Sequence, residues 1–223
     1  TDEVNSLDPN DAYATHDWEV IKNTGMALLS YTPGTAELIP GAAEDFPVIS
    51  EDGLTYTFTL KEGLKFADGT PLTAQDYVRA WTRFNTLEGQ VSGLVQIYVA
   101  DVQAPDERTV VYTLKNSFGF FPSIAATAPF VAGNPMDFPE GEIMAFPEKI
   151  SGIGPYMMTS HVPGEQMVLE ANPEYTGADQ PIIQKVIIRY FADATTMGNA
   201  VEKGEIDIAW RILGPVEAVR LQS

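Results

Sequence analysis

The sequence predicts an α/β fold of mixed α+β character, with helices inserted between the strands of a mixed sheet. Three observations carry this. Thr55-Tyr-Thr-Phe-Thr-Leu60 alternates with period two, as a half-buried strand does. Residues 74–87 put Tyr77, Val78, Trp81 and Phe84 on one helical stripe. Eighteen Gly and sixteen Pro break the 223 residues into short elements. At about 150 residues per domain this length makes one or two domains. It also buries enough surface to need no disulfide or metal staple.

The elements follow in chain order. Leu7-Asp8-Pro9-Asn10 reads as a turn after a short extended segment. Residues 17–29 read as a helix, capped by Asp17, with Trp18, Ile21, Leu28 and Leu29 on one face. Gly25 costs about 1 kcal/mol in such a helix relative to Ala, and marks a close backbone approach. Asp52-Gly53 turns into the strand 55–60, and 65–69 reads as strand then turn. Thr73-Ala-Gln-Asp76 is a capping-box start for the helix 74–87, with Asp in place of Glu or Gln. Residues 99–104 and 109–114 form a hairpin around Pro105-Asp-Glu-Arg108. From Phe118 to Pro147 the pattern weakens to short helix and loop. Residues 156–160 and 166–170 make a second hairpin, and 186–190 a strand. Asp193 caps a helix 194–202 that ends at Gly204. Residues 206–210 read as a final strand, and Pro215–Gln222 as a helix.

Composition excludes several function classes. Thirteen Lys and Arg stand against 31 Asp and Glu, a net charge of −18. Nucleic acid and anionic membrane surfaces need a basic face, so neither is an expected partner. No apolar run approaches the ~20 residues of a membrane span. With no cysteine, disulfides, Cys nucleophiles and thiolate metal sites are out. No repeat appears. The chain starts at Thr1 with no signal peptide, as expected where a targeting segment has been removed or the chain is cut from a longer one.

No catalytic pattern emerges. His16 and His161 are the two histidines, and no Gly-x-Ser-x-Gly elbow, phosphate loop or His-Glu-x-x-His occurs. Gly152-Ile-Gly-Pro155 is too short for a dinucleotide fingerprint and reads as a tight turn feeding a strand. Asp8-Pro-Asn-Asp11 opens like a calcium loop, but Ala12 and Tyr13 stand where a ligand and a glycine belong. No enzyme activity, cofactor or metal is expected. Trp81 belongs to a core. Trp210, followed by Arg211, either fills a core or lines a crevice at a strand end.

The motif order resembles the family 5 solute-binding proteins of ABC importers. It runs through Leu7-Asp8-Pro9, Tyr31-Thr-Pro-Gly34, Pro40-Gly-Ala-Ala-Glu44 and Ser50-Glu-Asp-Gly-Leu-Thr-Tyr-Thr-Phe-Thr-Leu-Lys61. Gly63-Leu-Lys-Phe-Ala-Asp-Gly-Thr-Pro-Leu-Thr-Ala-Gln-Asp76 is the most specific piece. Ala104-Pro-Asp-Glu-Arg-Thr-Val-Val111, Gly152-Ile-Gly-Pro-Tyr156, Pro163-Gly-Glu165, Asn172-Pro-Glu-Tyr175 and Gly204-Glu-Ile-Asp-Ile-Ala-Trp210 continue it.

The resemblance implies a periplasmic-binding-protein-like lobe with a mixed sheet plus an inserted α+β subdomain. Residues 1–43 and 152–223 would face the ligand, and 44–151 would be the insert, with the second lobe absent. The implied function is capture of an extracytoplasmic solute, a peptide foremost, by two-lobe closure and delivery to a membrane permease. A metal complex or an oligosaccharide on the same scaffold, or a sensory or adhesion role, is the alternative. A monomer, lipid-anchored in its precursor, is expected. The implied cleft wall comprises Thr15, His16, Asp17 and Trp18, then Ser92, Gly93 and Leu94, then Trp210, Arg211 and Ile212. Thr15–Trp18 reads equally as a plain helix start, and Arg211 as one half of a surface ion pair.

Overall fold

The computed structural model describes residues 3–211 and 213–221. Its elements are α1 (Thr15–Thr24), β1 (Leu29–Tyr31), β2 (Leu38–Pro40), β3 (Val48–Ile49), β4 (Thr55–Thr59), α2 (Ala74–Thr86), α3 (Ser92–Tyr98), β5 (Val99–Gln103) and β6 (Thr109–Leu114). Then come α4 (Phe121–Ile124), a 3-10 turn (Ala128–Phe130), β7 (Tyr156–Val162), β8 (Gln166–Ala171), β9 (Lys185–Arg189), α5 (Ala194–Glu202) and α6 (Pro215–Leu221). The α/β class stands. The mixed sheet does not: every strand pairing among the described residues is antiparallel, in a β1-β2 ribbon, a β3-β4-β6-β5 sheet and a β7-β8-β9 sheet. Neighbouring strands are joined by hairpins, or, between β4 and β6, by a long return through α2, α3 and β5, and a parallel neighbour would need a crossover strand to supply it.

That crossover strand was expected at 206–210. The segment is irregular and unpaired in the structure, with a bend at Asp207 and with Ile208 and Trp210 exposed. Alternation marks which residues share a side; a strand also needs a neighbour's N–H and C=O groups. None is offered to 206–210 among the described residues.

The four-stranded sheet carries the larger core. Alternation in β4 buries Tyr56 and Phe58, and in β6 Val110, Tyr112 and Leu114. Tyr56, Phe121, Phe130 and Tyr112 interlock there, Tyr56 meeting Phe121 edge to face at 4.9 Å. Each such pair adds roughly 0.5–1.5 kcal/mol beyond the area it buries. Helix α2 lies on this sheet as its stripe predicts: Tyr77 and Phe84 are buried, while Val78 and Trp81 pack at the margin. Asp76 closes the start of α2, one carboxylate oxygen accepting from the Thr73 N–H at 2.9 Å. The hairpin turn is held by Asp106, which accepts from the N–H groups of Arg108 and Thr109, both at 2.9 Å.

A smaller core lies between the N-terminal segment, α1 and the three-stranded sheet. It contains Val4, Leu7, Val20, Phe138, Ile150, Met158, Met167 and Leu169. Helix α1 differs from expectation at both ends. It starts at Thr15, so Asp17 is not its cap but stands in its first turn. It stops at Thr24, where the C-cap Gly25 turns extended and lies close against Val131. A Cβ at 25 would fall 2.4 Å from Val131 Cγ1. Leu29 then enters the larger core from β1, and Leu28 from the residue just before it, neither from a helix.

The segment Gly152-Ile-Gly154 is the tight turn expected, and its second job is contact. Cβ atoms at 152 and 154 would fall 2.0 Å from the Thr24 carbonyl oxygen and 2.5 Å from that of Asn23. Glycine lets the entry to β7 lie flat on the end of α1, where the Gly154 N–H donates to the Thr24 carbonyl at 2.9 Å. Helix α5 forms as read, with Asp193 accepting from the Thr196 N–H at 2.8 Å and Gly204 left-handed at φ 70°. Helix α6 also appears where read, Gln222 lying outside the described residues.

Candidate ligand-binding face

The first turn of α1 is fixed from inside. Asp17 is buried, and one oxygen accepts from the Asn5 N–H at 2.7 Å, the other from the Ala14 N–H at 3.3 Å. A carboxylate there answers the unpaired N–H groups and positive end of the helix. His16 Nε2 sits 3.1 Å from Asn5 Nδ2 and 3.5 Å from Asp17 Oδ1. Trp18 turns inward, its indole N–H donating to the Ala12 carbonyl at 2.8 Å. Of the four residues singled out here, Asp17 and Trp18 therefore serve the fold. Thr15 is exposed and His16 half-buried on the outer side.

The 210–211 segment comes to this outer side. The Arg211 guanidinium pairs with Glu19 one turn along α1 and reaches Thr15 Oγ1 at 3.5 Å. Its own neighbour Trp210 is 66% exposed, which removes the core alternative. The ring centroid lies 6.0 Å from the guanidinium carbon. Arg211 has φ 73°, and it alone among the described non-glycine residues is left-handed. Ile212, the third residue expected here, lies outside the described residues.

Ser92, Gly93 and Leu94 form the first turn of α3. Ser92 is buried and donates to the Leu87 carbonyl at 3.1 Å; Gly93 faces open space and Leu94 is exposed. The approach to this helix is anchored to the turn near the N-terminus, the Gln90 N–H donating to Asp11 at 3.0 Å. Among the described residues no hydrogen bond or ion pair joins 92–94 to Thr15 or Arg211.

Sequence reading missed two features. Tyr190, just past β9, lies within electrostatic reach of Glu3 and Asp17; burial first, then those two carboxylates, push its phenol up to about 12. The second is a buried ion pair. Arg83 and Asp8, 2% and 0% exposed at their side chains, meet through two parallel bonds of 2.9 and 2.7 Å. Arg83 also donates to Asn10 Oδ1 and to the carbonyls of Pro139 and Glu142. Asp8 accepts in addition from the N–H groups of Asn10 and Met144. The turn that opens like a calcium loop, expected as a solvated turn, is instead a buried guanidinium socket. Its motif was visible as Leu7-Asp8-Pro9, but nothing in α2 marked Arg83 as its partner.

His161 faces the other way, buried in β7 against the Phe146 ring at 6.0 Å. Burial lowers its pKa, and Glu3 opposes this in part. Among the described residues no three His, Cys, Asp or Glu side chains converge as a metal site requires. The two best-formed depressions hold about 10 Å³ each, lined mostly by apolar groups. That is room for roughly one water. Neither encloses a solute, and the exposed polar and aromatic groups at Thr15, Glu19, Trp210 and Arg211 lie on an open face.

Comparison with known proteins gives a consistent result. The family described as "Bacterial extracellular solute-binding proteins, family 5 Middle" matches residues 37–222. The probable D,D-dipeptide-binding periplasmic protein DdpA of Escherichia coli (strain K12) is 31% identical over 214 residues, which is 92% of this chain and 40% of that protein. The periplasmic oligopeptide-binding protein OppA of Salmonella typhimurium is 30% identical over 236 residues, 96% of this chain and 42% of its own length. The solved structure of the Escherichia coli murein tripeptide binding protein MppA superposes with a TM-score of 0.80 at 26% identity, covering 92% of this chain and 43% of that one. The chain thus spans about two fifths of the length of these relatives.

Proposed function

Because this chain belongs to the bacterial extracellular solute-binding proteins of family 5, we propose that it forms one wall of a solute-binding cleft. It captures a peptide outside the cytoplasm without chemical change and passes it to an ABC permease. By their names, the relatives above bind a D,D-dipeptide, oligopeptides or a murein tripeptide. In this reading the relatives' uncovered share corresponds to the second wall, which closes over the first by a hinge motion selected by contacts that only the closed form makes.

The observation that carries the reading is the open face where α1 begins and residues 210–211 arrive. Two exposed charges, a hydroxyl and an exposed indole gather there without an enclosing cavity. Such a face supplies orienting polar groups and one flat apolar surface, as ligand sites do, and leaves the enclosure to a partner wall.

The domain division follows the same logic. Elements β3 to β6 with α2 and α3 make one sheet-and-helix unit inside 44–151. Helix α1 packs on β7, joining 1–43 to the sheet within 152–223. We assign the second unit to the ligand and the first to the insertion. Thr15, His16, Trp210 and Arg211 line the face, with Ser92–Leu94 at its far edge, and the protein works as a monomer.

Photo-crosslinking tests this. Tripeptides bearing a benzophenone are irradiated with the chain at about millimolar concentration, matching the weak affinity one wall provides. Adducts are expected on residues 13–19 and 208–214 and on the start of α3. Adducts spread over the surface, or matched by an equally labelled oligosaccharide, overturn the peptide reading.

A further inference from the structure

We infer that Arg211 is a carboxylate-binding arm parked on Glu19, and that the ligand enters by taking the place of Glu19. The inference rests on the solute-binding reading above and names the ligand group this face selects. Three features of the cluster point to it.

The first is the set of carboxylates around α1. Asp17 is buried and held by two backbone N–H groups, one on each oxygen. Glu3 accepts from the Gly164 N–H. Among the described residues Glu19 has no such anchor: its side chain pairs with Arg211, and the two side chains are 46% and 30% exposed. An ion pair this open contributes little to stability and is exchanged at little cost. The second feature is the geometry of a guanidinium, whose planar fork matches a carboxylate in two parallel bonds. Glu19 now takes one prong of that fork, at Nη2, while Nη1 reaches Thr15 Oγ1, so an incoming carboxylate can gain the second parallel bond that Glu19 does not make.

The third feature is the backbone. Left-handed conformation in a non-glycine residue persists where surroundings hold it, and it gathers at ligand clamps and switch points. At Arg211 the conformation sets the guanidinium beside the exposed Trp210 ring. A carboxylate taken by the fork would bring the carbon chain behind it over that indole. A peptide C-terminus with a small or apolar last residue has this form: an acid with an apolar shoulder.

The test uses the 223-residue chain labelled with ¹⁵N. Tri-alanine and tri-alanine amide are titrated separately while the Arg211 Nε–H, the Trp210 indole N–H and the backbone signals are followed. The acid is expected to move both side-chain signals and to bind at least about tenfold more tightly than the amide, as loss of a charge-assisted pair requires. Glu19→Gln removes the competing carboxylate, and is expected to tighten the acid about three- to tenfold while leaving the amide unchanged. Arg211→Lys keeps the charge but loses the fork, and is expected to erase most of the acid–amide difference. Equal binding of acid and amide on this face overturns the arm and leaves the peptide reading standing. Unchanged acid affinity in Glu19→Gln overturns the parked state. No movement anywhere with either peptide up to about 20 mM, well beyond the ordinary range of weak binding, removes both.

Discussion

At the scale of single residues, the buried Arg83–Asp8 pair is the strongest constraint in the molecule. All five guanidinium N–H directions end on acceptors drawn from residues 8–10 and 139–142. Taking both ions from water is costly, and their mutual bonds offset that cost only while both are present. Replacing one leaves the other buried and unpaired. Asp8→Ala is therefore expected to destabilise the fold by about 3–5 kcal/mol, read from urea unfolding. Arg83→Lys is expected to lose most of that amount, since an ammonium cannot reach five acceptors. A loss within the range of ordinary surface changes would show that the pair is not the clasp it looks like. His161 sets a pH dependence. Its folded pKa is depressed from 6.5, chiefly by burial. Between the folded value and 6.5 the unfolded chain binds more protons, so stability falls as pH drops through that window and is full above it. His161→Leu is expected to flatten the dependence of melting temperature on pH below 6.5. An unchanged slope would assign the dependence to other groups.

At the scale of elements, local rules made some parts legible and long-range contact hid the rest. Helix α5, with its aspartate cap and C-terminal glycine, obeys signals that lie within a dozen residues. So do the two hairpins and the α2 stripe. Helix α1 was misread at its end because Leu28 and Leu29 continue the helical spacing, whereas the space at Gly25 is closed by Val131, more than a hundred residues away. Ribbon β1-β2 was missed because three-residue strands carry no period to count. The strand at 206–210 was read from alternation that no neighbour completes. Glycines separate these causes experimentally. Gly152→Ala puts a methyl on the Thr24 carbonyl, a backbone atom that cannot swing aside. It is expected to cost about 1–3 kcal/mol or more, as overpacking does. Gly93→Ala meets nothing within 4 Å. Helix propensity alone then applies, and α3 is expected to gain up to about 1 kcal/mol. Thermal unfolding of the two variants reads both signs, and a neutral Gly152→Ala would mean the α1–β7 contact gives way freely.

At the scale of the whole molecule, the candidate site is an open wall, and that decides its affinity. The resemblance pointed to positions 15–18, 92–94 and 210–212, and the fold brings Thr15 and Arg211 within 3.5 Å across 196 residues of sequence. What sequence could not supply was the sorting inside that list: Asp17 and Trp18 face inward, Thr15 and Arg211 outward. Association costs on the order of 4–15 kcal/mol in lost translational and rotational freedom before any contact counts in its favour. A ligand lying on one open face buries roughly half the surface that a closed cleft would bury, while that cost is undiminished. Its hydrogen bonds also stay exposed to competing water. Isothermal calorimetry of this chain against mixed tri- to pentapeptides is therefore expected to show dissociation constants weaker than about 1 μM. Raising salt should weaken binding of acidic peptides further, because the Arg211 pair is surface-exposed and screened over roughly 8–10 Å at such ionic strengths. A peptide held below about 1 μM by the chain alone would mean that this wall already encloses its guest. Closure by a second wall would then be superfluous, and the open face at Thr15 and Arg211 would have to be something other than the binding surface.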